Sequence, residues 1–335
     1  MRALLVCPGR GSYGREQLNS LQVESPILDR LDQLRAANGR PTLRALDAAD
    51  RFSPRAHLAG EHASLLTFGA TALDVAALDP AKVDLIGVAG NSMGWYSALW
   101  AAGVLNLDDA ARLVETMGGY QENNVIGAQV LYPVTDERWL PDPSLAAQVQ
   151  VALGWEGVYL SIRLGGTYVL GTDAAGLRRV MESMPKQRRG EREFPLQLPL
   201  HSAFHTPLMI ETSARALRDL ADLSWSAPRH TLIDGAGALR RGWADPAAIA
   251  AYTLTTQVVE TFDLSACIAT AMGEFAPDVV LLPGPGESLG APVAQILIGL
   301  GWRGLRDRAD FTEAQSSEKP VILSMARPAQ RRLVT

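Results

Sequence analysis

Residues 83–94 of the chain read VDLIGVAGNSMG. Residues 83–89 form an apolar run of strand length, and residues 95–102 have the composition of a buried helix. The pattern Gly90-x-Ser92-x-Gly94 therefore lies at a strand-to-helix turn, where small neighbours let strand and helix pack closely while the serine hydroxyl rises above the sheet edge. We interpret Ser92 as a candidate nucleophile and the backbone N–H of Met93 as a candidate oxyanion donor.

A serine nucleophile needs a general base. Of the five histidines, two share the stretch LHSAFHTPLM at residues 200–209, and the other three have no motif around them. A histidine in such a stretch is more often a structural hydrogen-bonding residue than a catalytic one. The residues alone therefore do not identify the general base.

Composition limits the class of protein. Apolar residues make up 47% of the 335 residues and charged residues 20%, which is typical of a globular protein. A formal charge of −5 gives no global attraction to nucleic acid or to an anionic membrane. The two distant cysteines, Cys7 and Cys267, and the lack of a signal peptide or a long apolar run predict a soluble cytoplasmic protein. The sequence has no metal-ligand cluster and no nucleotide-binding motif.

The pattern of strands and helices predicts an α/β fold with an insertion. From residue 127 short strands and helices alternate as βαββα, which indicates a small subdomain over 127–197 between the segments 1–126 and 198–312. A charged connector, 186–193, ends this insertion. Residues 313–335 are polar and contain Pro320 and Pro328, so we expect a surface-draped or partly disordered tail.

Five short motifs carry a family resemblance. CPGRGS at 7–12 is similar to F-P-G-Q-G-S-Q, GNSMGWYSAL at 90–99 to G-H-S-L-G-E-Y-S-A-L, and SAFHTPLM at 202–209 to H-A-F-H-S-P-L-M. AAGVL at 101–105 and GPG at 284–286 also stand where that family has them. In this order, covering about residues 3–300, the motifs resemble the malonyl-CoA:acyl-carrier-protein transacylases and the acyltransferase domains of fatty acid and polyketide synthases.

The resemblance implies an α/β-hydrolase-like large subdomain with an inserted ferredoxin-like small subdomain. It also implies that Ser92 takes an acyl group from a CoA thioester, that His205 is its base, and that the backbone N–H groups of Met93 and Arg10 hold the oxyanion. The acyl acceptor is then the phosphopantetheine thiol of an acyl carrier protein. We expect no permanently bound cofactor and a monomeric enzyme.

Acyl carrier proteins are acidic, so basic residues are candidates for docking the partner. The candidates are Lys186, Arg188, Arg189 and Arg192, with Arg178 and Arg179. It is at least as good an interpretation that these residues form an ordinary solvent-exposed loop and helix face.

The chain departs from the family at polar positions. Met117 occupies the position of the arginine that clamps the malonyl carboxylate in the family. A thioether cannot replace the two parallel N–H donors of a guanidinium. Other changed positions, counted as candidate substrate-binding residues, are Asn91, His62 and Arg163, and Arg10 replaces a glutamine. Asp263 lies near the segment that orients the histidine, where the alignment is uncertain.

Two explanations for Met117 stay open. Arg10 or Arg163 supplies a relocated clamp, or the pocket takes a monocarboxylic acyl group. The loss of the arginine clamp is visible in the sequence, whereas a new clamp would need a geometry that the sequence does not show. We therefore favour a monocarboxylic acyl group. An acyl-thioester hydrolase, using the same serine and histidine, is the nearest rival to a transferase. A catalytically inactive docking protein is the third possibility.

Overall fold

A computed structural model of the chain describes residues 1–121 and 124–335. Its strands are β1 (Arg2–Cys7), β2 (Asp84–Gly90), β3 (Ala128–Pro133), β4 (Val158–Leu164), β5 (Thr167–Thr172), β6 (Gln187–Arg189), β7 (Arg192–Phe194), β8 (Leu196–Gln197), β9 (Leu232–Ile233), β10 (Leu239–Arg240), β11 (Phe262–Asp263), β12 (Val279–Leu282) and β13 (Ile322–Ser324).

The α-helices pack around these strands, and three short 3₁₀ helices cover Arg15–Gln17, Pro207–Met209 and Trp302–Gly304. The α-helices are α1 (Pro26–Ala37), α2 (Leu43–Asp47), α3 (Pro54–His57), α4 (Gly60–Ala76), α5 (Gly94–Ala101), α6 (Leu107–Gly119), α7 (Pro143–Leu153), α8 (Ala174–Ser183), α9 (Ile210–Asp219), α10 (Pro246–Leu254), α11 (Thr256–Val259), α12 (Leu264–Phe275), α13 (Gly290–Gly299), α14 (Arg308–Gln315) and α15 (Pro328–Arg331).

The large sheet has the strand order β10-β9-β2-β1-β12-β13. All its pairs are parallel except β9 with β10. Residues 3–7 of β1 are completely buried, because a central parallel strand is covered by helices on both faces. The continuous apolar run near the amino terminus therefore becomes the middle of the sheet, beside the strand that leads to Ser92.

The small sheet has the order β11-β4-β5-β3-β8. Within residues 127–197 the chain order β3-α7-β4-β5-α8-β8 gives antiparallel pairs of β3 with β5 and β8, and of β4 with β5. This is the ferredoxin-like βαββαβ arrangement. The predicted fold class, an α/β-hydrolase-like unit with a ferredoxin-like insertion, is confirmed.

The two faces of the small sheet have different neighbours. Val130 and Tyr132 of β3 pack into the small subdomain's own apolar core. Gln129 and Leu131 point the other way, toward the large sheet, because side chains alternate along a strand. The small sheet thus closes over the carboxyl end of β2.

Three details differ from the sequence expectations. The tail expectation is wrong: Ile322–Ser324 forms β13, which pairs in parallel with β12, and Val334 is fully buried. The charged connector is a β-hairpin of β6 and β7. Strand β11, from the segment 198–312, joins the small sheet by pairing with Ile162 and Arg163 of β4.

Among the described helices, none is both long and apolar enough to span a bilayer.

Candidate active site

The turn after β2 is a strained elbow. Ser92 has a φ of 54°, in the left-handed region that non-glycine residues rarely adopt. A Cβ on Gly90 would collide with the carbonyl of Gly94, and a Cβ on Gly94 would collide with the carbonyl of Cys7. Both glycines are required because β1, β2 and α5 approach one another backbone to backbone. The strained residue is thus Ser92, immediately before α5, and this backbone conformation exposes its hydroxyl.

Ser92 faces a histidine. Its Oγ lies 2.7 Å from Nε2 of His205. The other ring nitrogen, Nδ1, lies 2.5 Å from the backbone carbonyl of Gln257, which can only accept, so Nδ1 carries a proton. In the neutral ring Nε2 is then the acceptor for the Ser92 hydroxyl, which is the arrangement of a nucleophile and its general base.

His205 is buried and rigidly placed. Only 1% of its surface is exposed, and burial lowers its pKa to about 4, with the Gln257 carbonyl opposing the shift. Its backbone N–H donates to the carbonyl of Val258 at 2.8 Å. One residue earlier, the carbonyl of Phe204 accepts from Ser161 of β4 at 2.8 Å. Both subdomains therefore position the base.

A cavity of about 350 Å³ contains Ser92 and His205. Its wall on the small subdomain combines the apolar side chains of Leu131, Ile162 and Val169 with the polar ones of Gln129 and Arg192. The opposite wall comes from the elbow, the loop after β1 and the end of α6. Polar and apolar side chains alike line this cavity, and a concave site with converging polar groups is the usual form of a small-molecule site.

Two backbone N–H groups lie on the cavity wall near the nucleophile. Met93 follows Ser92 directly at the start of α5, and Arg10 belongs to the loop after β1. Neither N–H donates a hydrogen bond to any residue that the structure describes. Their use as oxyanion donors stays a prediction.

The predicted substrate-binding residues divide into two groups. Met117 and Asn91 line the cavity, as does the side chain of Arg10. His62 lies elsewhere, with Nδ1 donating to Ala56 at 2.8 Å. Arg163 lines a different cavity, between the small subdomain and helices α12 and α13.

Asp263 does not contact His205 among the described hydrogen bonds. Its carboxylate caps α12, accepting from the N–H of Ala266 at 2.8 Å. It also lies 3.4 Å from Arg163. Its role in the structure is therefore to begin a helix and to pair with an arginine.

The predicted docking residues lie around the hairpin of β6 and β7. Arg192 reaches the cavity wall. Lys186 and Arg188 are exposed, while Arg189 is partly buried and donates to the carbonyl of Thr135 at 2.9 Å. Arg178 and Arg179 are exposed on α8.

Two contacts of the site were not predicted from the sequence: Gln257 with His205, and His201, whose Nε2 lies 3.4 Å from Nε of Arg10. Gln257 orients His205 through its backbone carbonyl, and its side chain donates to the carbonyl of Ser92 at 3.1 Å. A contact made by a main-chain carbonyl leaves no residue signature. His201 could have been found, since it shares the 200–209 stretch with His205.

The fold and the Ser92–His205 pair define the class: an α/β-hydrolase-like unit with a ferredoxin-like insertion and a serine beside a histidine. No protein-family model matches the sequence, and no curated protein is similar to it.

Solved structures share the whole fold. An acyl-carrier-protein S-malonyltransferase from Burkholderia pseudomallei is 22% identical, covers 99% of this chain and 98% of its own, and has a TM-score of 0.74. The acyltransferase domain from the second module of the salinomycin polyketide synthase is 21% identical, covering 99% and 71%, with a TM-score of 0.71. A malonyl-transacylase in complex with its type II polyketide synthase carrier protein is 17% identical, covering 99% and 98%, with a TM-score of 0.73.

The chain therefore has the fold of the malonyl-CoA:acyl-carrier-protein transacylases, and the resemblance seen in the motifs is confirmed for the fold.

Proposed function

We propose that the chain transfers an acyl group from a coenzyme A thioester to the phosphopantetheine thiol of an acyl carrier protein, through an ester on Ser92. The observation that carries this proposal is the 2.7 Å contact of Ser92 Oγ with His205 Nε2, inside a cavity of acyl-group size. The fold is shared with acyl-carrier-protein S-malonyltransferases and with a transacylase bound to its carrier protein, which supports the same reaction class.

The first half-reaction forms the acyl-enzyme. Ser92 Oγ attacks the thioester carbonyl, its proton passes to Nε2 of His205, and the negative charge develops on the carbonyl oxygen. The N–H groups of Met93 and Arg10 are the proposed donors to that oxygen. The C–S bond breaks, and the leaving thiolate of coenzyme A takes the proton from His205.

The second half-reaction reverses these roles. The carrier's thiol gives its proton to His205, the sulfur attacks the acyl-serine carbonyl, and the C–O bond to Ser92 breaks. Ser92 then recovers the proton. The Gln257 carbonyl stabilises the imidazolium in both halves, because it accepts from Nδ1 throughout.

Docking of the carrier protein is proposed at the hairpin of β6 and β7. Arg192 and Arg188 are exposed there, beside the cavity that holds Ser92. The cytoplasmic location and the monomeric state stay predictions from the sequence.

The test is a product assay that separates the transferase from the hydrolase. Acyl-CoA is mixed with catalytic amounts of the protein and with holo carrier protein, and both acyl-carrier and free acid are followed by mass spectrometry. We expect acyl-carrier to form and to disappear with Ser92→Ala. Free acid formed at the same rate with and without the carrier would support the hydrolase and contradict the transferase.

A further inference from the structure

Two buried glutamines line the cavity beside Ser92 and have unused hydrogen-bonding groups. Gln129 of β3 is 4% exposed, and Gln121, just after α6, is 8% exposed. A buried carboxamide normally has a partner for its oxygen and for its nitrogen. Each of these two has a partner at one end only among the described residues, and the free end differs between them.

The carboxamide of Gln129 has a fixed orientation. Its Nε2 donates to Oγ of Ser161 at 2.8 Å. The hydroxyl of Ser161 donates in turn to the carbonyl of Phe204 at 2.8 Å, so its oxygen is left to accept from Gln129. The oxygen of the carboxamide, Oε1, therefore lies on the side away from Ser161. It has no partner among the described residues and is not sealed from the cavity.

Gln121 presents the opposite group. Its Oε1 accepts from the backbone N–H of Ser202 at 2.9 Å, which leaves Nε2 as a donor without a partner in the part of the chain that the structure describes. Ser202 and Phe204 are two residues apart, just before His205. Both carboxamides are thus anchored to the same short segment of the cavity wall, Gln121 directly and Gln129 through Ser161. The wall offers one accepting oxygen and one donating nitrogen, and both are uncharged.

We propose that Gln129 and Gln121 are specificity-determining residues that bind a hydroxyl group on the acyl chain, so that the substrates are hydroxyacyl thioesters. This inference rests on the proposed function, since it concerns the acyl group that Ser92 accepts. A hydroxyl both donates and accepts, so it matches the oxygen of Gln129 and the nitrogen of Gln121 at once. A plain alkyl chain would bury both groups without partners, which is costly.

A carboxylate on the acyl group would fit this wall less well. It can only accept, so it would meet the oxygen of Gln129 with no proton between them. Nη1 of Arg10 has no accessible surface, because it is enclosed by the backbone where α4 meets α6. Arg192 is exposed on the hairpin of β6 and β7, where solvent weakens its pairing with an anion. Met117, buried in the same wall, has no donor of its own.

The experiment compares acyl-CoA donors in pairs that differ by one group. 3-Hydroxybutyryl-CoA is paired with isovaleryl-CoA, and 2-hydroxypropanoyl-CoA with isobutyryl-CoA, because in each pair a methyl group replaces the hydroxyl. The rate of adduct formation on Ser92 is measured for these donors and for malonyl-CoA by rapid quench and intact mass. We expect the hydroxyacyl donor of at least one pair to react about 10- to 100-fold faster than its methyl partner, and faster than malonyl-CoA.

Two variants test the glutamines themselves. Gln129→Met and Gln121→Met each remove one hydrogen-bonding group at nearly constant volume, and each should lower the hydroxyl-to-methyl rate ratio about 10-fold. Gln295→Met is the matched control, because Gln295 of α13 lines the other cavity, and it should leave the ratio unchanged. Folded variants are recognised by their adduct with the methyl donor and by an unchanged circular dichroism spectrum.

The inference is overturned if both pairs react equally, which would mean that water occupies the two carboxamides, or if malonyl-CoA reacts fastest. It is also overturned if Gln129→Met slows every donor alike, because the carboxamide would then bind the part of the thioester that all donors share. Failure of the proposed function looks different, since no donor would then give an adduct that depends on Ser92, and this inference would fall with it.

Discussion

The backbone carbonyl of Gln257 accepts a hydrogen bond from Nδ1 of His205 at 2.5 Å. A main-chain oxygen therefore does what a carboxylate does in the better-known serine triads: it fixes the tautomer and the direction of the ring. Since the acceptor is a carbonyl, it adds no full charge to raise the pKa of the base, and burial dominates.

This arrangement predicts unequal effects of two substitutions. His205→Ala should lower the rate of Ser92 acylation by about 10²- to 10⁴-fold, because it removes the base. Gln257→Ala should cost far less, since the orienting carbonyl remains and only the side-chain bonds to Ser92 and Tyr96 are lost. Single-turnover acylation measures both. Equal losses in two folded variants would mean that the Gln257 side chain, not its carbonyl, orients the base.

The pH dependence of acylation follows from the buried histidine. The pKa of His205 is lowered to about 4, so the neutral, proton-accepting form is present above that value and is lost only as the pH falls through it. We expect the acylation rate to be flat between about pH 5.5 and 7.5, where an ordinary histidine with a pKa near 6.5 would titrate. A half-loss of rate near pH 6.5, measured by quenched single turnovers, would contradict this environment.

The elbow predicts a strong dependence of stability on Gly94. A methyl group at Gly94 would collide with the Cys7 carbonyl, so Gly94→Ala should lower the free energy of unfolding by about 3 kcal/mol or more. Gly273 is the control, because it is exposed in the last turn of α12 and a methyl group there would meet nothing within 4 Å. Gly273→Ala should be neutral or stabilising by up to about 1 kcal/mol. Urea unfolding measures both, and equal effects would contradict the close approach.

The last strand predicts a second contrast within the carboxyl-terminal segment. Leu323 of β13 is 2% exposed, whereas Leu333 is 48% exposed. Leu323→Ala should lower the free energy of unfolding by about 2–4 kcal/mol. Leu333→Ala should change it by less than about 1 kcal/mol. If thermal and urea unfolding do not distinguish the two variants, the segment does not complete the large sheet.

The elbow could be predicted from the sequence because its signals are local. An apolar run of strand length, two glycines around Ser92 and a buried helix lie within about twenty residues, so the pattern and the turn agree. The alternation of short strands and helices over residues 127–197 likewise indicated the insertion, because it is also a local pattern. Both features reflect short-range periodicity.

The rest depends on contacts between distant segments. β13 is three residues long, and the apolar run at residues 321–323 around it is short and flanked by polar segments, so its pairing with β12 could not be predicted from the local pattern. Gln257 orients His205 through its backbone carbonyl oxygen. Every residue has such an atom, so the residue type gives no signal. The difference between Arg10 and Arg163 is one of location, since both are arginines in the sequence and only one lines the cavity with Ser92.

We propose that Ser92 carries the acyl group between two thiols. The most direct measurement is the intact mass of the protein after a rapid mix with malonyl-CoA, acetyl-CoA or a medium-chain acyl-CoA, followed by peptide mapping and a chase with holo carrier protein. We predict one acyl adduct, on Ser92, that is absent in Ser92→Ala and moves to the carrier during the chase. An adduct that maps to another residue, or that persists with the carrier and is lost only to water, would contradict a transfer through Ser92.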